Sequence, residues 1–259
     1  MQSRNYNPEI PIVIASVCPE AHQALQGVLN QWFDDSHHCI PIDETSDNAK
    51  LTGDLTDSDG KWKKNVRCVS AVFDQSVSMG VPACLPSDHQ LILFVDDPFK
   101  LVFAEYQRKL QQPNFWYRGE RIDFSKRFPT LESFLNRHPD WLYDRFPQDL
   151  TLANLPQKLS QEYLFVGVLE SLQASVNQLA NILGQPAVEL TDVLDASGAA
   201  SGFESLRQSF YAQCPRLKAI YDFACGPSGA ATEIHHAPHQ TRGSNIKTGS
   251  LNLQQSQVD

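Results

Sequence analysis

Three short apolar runs, each followed by a segment of helical periodicity, constrain this chain more than any other feature. Residues 11–17 (PIVIASV), 90–95 (QLILFV) and 162–167 (EYLFVG) are β-branched or nearly continuously apolar. Runs of that length suit strands buried on both faces, as in a parallel sheet. Ala24, Leu25, Val28, Leu29 and Trp32 follow the first. Phe99, Val102, Phe103, Tyr106 and Leu110 follow the second, and Leu172, Val176, Leu179, Ala180, Ile182 and Leu183 follow the third. Each set falls on one face of a helix. Pro19 suits the first turn of its helix, where a missing N–H costs nothing, and Gly184 suits a helix stop. Strand–helix alternation three times over predicts an α/β fold with a mainly parallel sheet. Ligands in such sheets bind beyond the carboxyl ends of the strands, so the turns at 15–20, 95–98 and 167–170 matter most.

Residues 64–73 (KNVRCVSAVF) predict a further strand. The acidic stretch 34–60 reads as a solvated loop or irregular insert, and the aromatic and basic stretch 112–129 as an exposed loop. Thr130-Leu131-Glu132 opens a short helix, and a helical pair spans about 203–224. The Gly-, Ser-, Gln- and Asn-rich end predicts a disordered tail over 226–259, behind one domain over 1–225.

The 259 residues are enough to bury a substantial core. A net charge of −9 argues against a general nucleic-acid binder, which needs cations to displace counterions. No apolar stretch has the length of a membrane span, and the N-terminus reads as carrying no signal peptide. Six cysteines without a C-x-x-C pair read as thiols of a reducing, cytoplasmic compartment.

The segment FVDDPFKLVFAEYQRK (94–109) resembles the strand–turn–helix L-R-D-P-x-x-R-x-x-S-x-Y of carbohydrate sulfotransferases. EYLFVGVLESLQASVNQLANILG (162–184) is similar to that family's strand ending V-G-x-x-E before a long helix. PRLKAIYDFA (215–224) is similar to its closing helix, which ends L-Y-x-x-A. The blocks occur in the family's order, and the resemblance covers about residues 10–225. It implies a three-layer P-loop-like sulfotransferase fold with a mainly parallel sheet. It also implies 3′-phosphoadenosine-5′-phosphosulfate (PAPS) as co-substrate of an active member, a carbohydrate acceptor and no other cofactor.

The donor motifs are degenerate. The family's first turn, P-K-x-G-G/T-T-S, corresponds to ASVCPEAHQ (15–23), which has neither Gly nor Lys. Cys18 occupies it, Glu20 brings negative charge, and His22 is its one candidate cation. At the second turn the family's Arg falls on Asp96, its second Arg on Leu101 and its Ser on Ala104, while Asp97, Pro98 and Tyr106 are retained. A carboxylate in place of a guanidinium reverses an interaction of roughly 4 kcal/mol at 4 Å and an effective dielectric near 20. In CVSAVFDQSV (68–77) the family's usual His is missing, and Asp74 is the nearest ionisable group.

The candidate catalytic groups are therefore His22, Asp74 and Glu170, and the motif-equivalent donor positions are Cys18, His22, Asp96 and Ala104. Cations among aromatic rings can hold sugars or anions, which makes Arg108, Trp116, Tyr117, Arg118 and Arg121 the acceptor-side candidates. Glu170 also suits a plain role at the start of a helix. His37-His38-Cys39 and His235-His236-x-x-His239 lack the spacing of a metal site, and none is expected. Two readings remain open. One is a sulfotransferase-family protein, active or a pseudoenzyme. The other is a non-enzymatic glycan- or protein-binding scaffold on the same fold.

Overall fold

The computed structural model describes residues 5–16, 19–40, 54–72, 85–111, 115–117, 120–136, 149–190 and 202–226. Five parallel strands form the central sheet: β1 (Ile12–Ser16), β2 (His37–Ile40), β3 (Cys68–Val72), β4 (Gln90–Val95) and β7 (Tyr163–Val168), in the order β2-β3-β1-β4-β7. β5 (Phe115–Tyr117) and β6 (Glu120–Ile122) form a separate antiparallel pair. The helices are α1 (Pro19–Phe33), α2 (Pro98–Leu110), α3 (Phe124–Arg127), α4 (Leu131–Leu135), α5 (Leu155–Glu162), α6 (Leu172–Leu183), α7 (Glu204–Gln213) and α8 (Pro215–Cys225).

The apolar runs form strands because side chains of both parities find cover. Ile12, Ile14, Ile92, Phe94 and Phe165 face α1 and α6, against Leu25, Leu29, Val176 and Leu179. Ala15, Leu93, Val95, Val166 and Val168 face the other way, against Leu155 and Leu159 of α5 and Ile220 and Ala224 of α8. At the β2–β3 end of that second face, Val13 and Val69 pack with Leu55, Val66 and Leu85. The result is a three-layer α/β architecture with a parallel sheet, as the sequence predicts. A second core, rich in phenylalanine, joins α2, α3, α4 and α7 through Phe99, Phe103, Phe124, Phe128, Phe134 and Phe210.

Two expectations need correction. The stretch 34–60 is not only a solvated loop: His37–Ile40 pairs parallel with β3, and Leu55 is buried. Among the described residues, the stretch 112–129 is not all exposed loop. It contains β5, β6 and α3, whose Asp123 N-cap accepts from Lys126 N at 3.2 Å. Phe124 and Phe128, four residues apart, are each 1% exposed and pack on Tyr106 and Phe134. In addition, α5 lies in a stretch for which the sequence suggests no element. Its buried Leu155 and Leu159 fix it against the sheet. The expected tail beyond residue 226 lies outside the described residues. Among the described residues no helix is long and apolar enough to cross a membrane.

Candidate functional site

The connection after β1 leads toward β2 on one side of the sheet, and the connection after β4 leads toward β7 on the other. Successive crossovers diverge between β1 and β4. Doubly wound sheets bind ligands in the crevice beyond the carboxyl ends at such a switch point. The turn Asp96-Asp97-Pro98 sits there, with Glu170 after the neighbouring β7.

Asp97 is fully buried and caps α2. Its Oδ1 accepts from the backbone N–H of Phe99 at 2.8 Å and of Lys100 at 3.3 Å. Pro98 at the first helical position needs no partner there. The Tyr211 hydroxyl donates to the same oxygen at 2.5 Å, and the Arg207 guanidinium donates to Oδ2. A buried carboxylate is tolerable when charge and lone pairs are both satisfied, and here they are. Burial, with the bond to Asp97, pushes the Tyr211 phenol well above its ordinary range.

Glu170 follows β7 in a short 3₁₀ turn. Its Oε1 accepts from Lys100 Nζ at 2.8 Å and its Oε2 from the Tyr221 hydroxyl at 2.5 Å. Burial disfavours the Lys100 ammonium, but the hydrogen bond and charge of Glu170, helped by Asp96 and Asp97, hold its pKa above the usual lysine value. Ser175 Oγ anchors the end of β7 by accepting from Val168 N at 2.9 Å and donating to Val168 O at 3.0 Å.

Asp96 differs from its neighbours. Its Oδ1 accepts from Asp97 N at 2.8 Å, and no described side chain donates to the carboxylate. Burial, then the charge of Glu170, raises its pKa to about 6. The crevice thus holds three carboxylates, Asp96, Asp97 and Glu170, and two cations, Lys100 and Arg207, each already paired with one of them. It is organised to neutralise itself, and among the described residues one Asp96 carboxylate oxygen accepts no hydrogen bond.

The other sequence candidates scatter. His22 is 5% exposed, and its Nε2 lies 3.4 Å from Cys39 Sγ of β2. Burial lowers its pKa, so near neutral pH it supplies no positive charge for a phosphate. Ala104 lies on the exposed face of α2. Arg108 is held by Glu105 through two hydrogen bonds of 3.0 Å, with Lys109 Nζ also 3.0 Å from that carboxylate. Cys18, Asp74 and Arg118 lie outside the described residues, as do the side chains of Trp116, Tyr117 and Arg121. Among the described residues no three His, Cys, Asp or Glu side chains converge to hold a metal ion.

Lys100, Arg207, Tyr211 and Tyr221 were not picked out from the sequence. Tyr221 is the Tyr of the closing L-Y-x-x-A pattern and was available to that comparison. Arg207 stands 110 residues from Asp97, and no local pattern links them.

Fold and crevice together define a doubly wound α/β protein with a carboxylate-rich switch-point site. No family model matches the chain, and no curated protein matches it. A solved sulfotransferase from Alicyclobacillus acidocaldarius is similar at 14% identity and a TM-score of 0.40, covering 83% of this chain and 96% of that one.

Proposed function

We propose that this chain is a divergent member of the PAPS-dependent carbohydrate sulfotransferase family that no longer binds PAPS in the family's way. The sequence blocks around 94–109, 162–184 and 215–224 support the family. One observation carries the change of function: both cations near the turn, Lys100 and Arg207, are already paired with carboxylates, and by the resemblance Asp96 falls where the family has its phosphate-binding Arg. An incoming 3′-phosphate meets net negative charge, and recruiting Arg207 would strand a fully buried Asp97. A neutral polyol or an amine meets a free carboxylate oxygen instead. The reading is therefore a pseudoenzyme toward PAPS that keeps a crevice for a hydroxyl- or amine-bearing ligand, the acceptor side of the ancestral reaction.

Calorimetry with adenosine 3′,5′-bisphosphate at low salt, where phosphate contacts are least screened, tests the reading. No binding at millimolar ligand is the expected result. Micromolar binding would overturn it and return the chain to the active sulfotransferases.

A further inference from the structure

A second polar cluster lies between α1 and the edge strand β2. Cys39 is an exposed residue of β2, one position before the strand ends. His22 approaches its sulfur from the first turns of α1. Ser70 of β3, opposite Cys39 in the register, and Gln26, one turn beyond His22, hydrogen-bond the same sulfur, and both favour its thiolate form. His37 is otherwise engaged, with Nδ1 2.6 Å from Asn30 Oδ1 and Nε2 2.8 Å from Ser70 Oγ.

His22 has no evident structural purpose. It is 5% exposed, and among the described residues its Nδ1 has no hydrogen-bond partner and its Nε2 bonds the Cys39 sulfur. A buried unsatisfied nitrogen costs roughly 1–3 kcal/mol, so an apolar residue would serve the core better. What the imidazole supplies is a base 3.4 Å from the sulfur of an exposed cysteine.

We propose that Cys39, with His22 as its proton acceptor, is a thiol-exchange site for small disulfides such as oxidised glutathione. The Cys39 sulfur attacks one sulfur of the disulfide while its proton passes to His22 Nε2. A bond forms between Cys39 and that sulfur, and the original S–S bond breaks. The departing thiolate takes the proton from His22. Cys39 is oxidised to a mixed disulfide, half of the small disulfide is reduced to free thiol, and the imidazole returns to neutral. Burial raises the Cys39 thiol and lowers the His22 imidazole, so the resting pair is neutral and the proton moves as the sulfur attacks.

The molecule contains its own control. Cys225 is also an exposed free thiol, but burial, then the charges of Glu170, Asp222 and Asp97, works against its thiolate, outweighing a favourable bond from Tyr221, and no imidazole contacts it among the described residues. Cys68 and Cys214 are buried. The test incubates the native full-length protein with oxidised glutathione near neutral pH, quenches in acid and follows each cysteine by peptide mass spectrometry. Cys39 is expected to form its mixed disulfide at least about tenfold faster than Cys225. His22→Gln is expected to remove about that advantage and leave the Cys225 rate unchanged. Equal rates at Cys39 and Cys225 in the unmutated protein would overturn the proposal without any variant having to fold. A His22→Gln protein that reacts at the unmutated rate would overturn it too.

Discussion

The Tyr211 hydroxyl donates to Asp97 Oδ1 at 2.5 Å across 114 residues of sequence, and this contact ties the closing helical pair to the turn that follows the central strand β4. Asp97 caps α2 and neutralises Arg207 with the same carboxylate, so one side chain joins the two helices α2 and α7. Asp97→Ala is expected to cost about 3 kcal/mol. That figure is the lower end for breaking a buried pair, because Arg207 is 37% exposed and recovers some hydration. Tyr211→Phe removes one donor and is expected to cost about 1–2 kcal/mol. Urea unfolding of the two variants measures both, and an Asp97→Ala loss smaller than the Tyr211→Phe loss would refute the central role of the carboxylate.

Asp96 contributes to stability with the opposite sign to an ordinary surface carboxylate. Its folded pKa is raised to about 6, above the usual aspartate value, so the folded state binds more protons than the unfolded state between the two. Its contribution is fully present below the unfolded pKa and is lost as pH rises through about 6. Asp96→Asn keeps an oxygen for Asp97 N–H and removes the titration. The variant is expected to match the parent near pH 4 and to exceed it by up to about 3 kcal/mol at pH 7 to 8. Chemical denaturation across that range checks it, and a gain that does not grow with pH would count against the assignment.

How much of this was legible beforehand follows from where the information sits. β1, β4 and β7 were legible because each carries its own apolar run, and Gly184 marked the end of α6 by its residue type, which the structure bears out with a left-handed φ of 65°. β2 was not, because HHCI has one large apolar residue and its extended state is imposed by pairing with β3. Lys126 and Arg127 disguised Phe124 and Phe128 as a solvent-facing segment, although their spacing of four puts both rings on one side. At the site, Asp96, Asp97 and Glu170 could be read from their strands. Their partners Arg207 and Tyr211 on α7 could not, because pairing across the fold leaves no periodic trace.

Gly167 of β7 stands opposite Phe94 of β4, and a Cβ built on it would lie 2.7 Å from the Phe94 ring and 2.8 Å from the Phe165 ring. Both rings are buried in an edge-on pair with centroids 6.0 Å apart, so neither has room to withdraw. The glycine is required by close approach here, not by backbone conformation. Gly167→Ala is expected to cost about 1–3 kcal/mol through overpacking, read as a lower urea midpoint. A neutral substitution would mean that the β4–β7 contact yields more easily than its packing indicates.

His37 works against Asp96 in acid. Burial, then the charges of His22 and His38, lowers its pKa to about 4, below the ordinary histidine value. The unfolded state therefore binds the extra proton first, and the stability His37 contributes above pH 6.5 is lost as pH falls through about 4. Between about 4 and 6 the two groups pull the stability curve in opposite directions and partly cancel. His37→Gln is expected to lower stability at neutral pH, since it gives up bonds to Asn30 and Ser70, yet to flatten the acid limb. Asp96→Asn is expected to steepen that limb, by up to about 1.4 kcal/mol per pH unit for one whole proton. Stability curves of the parent and both variants from pH 4 to 7 separate the two effects. Parallel curves for parent and His37→Gln would show that the imidazole titrates alike in the folded and unfolded chain.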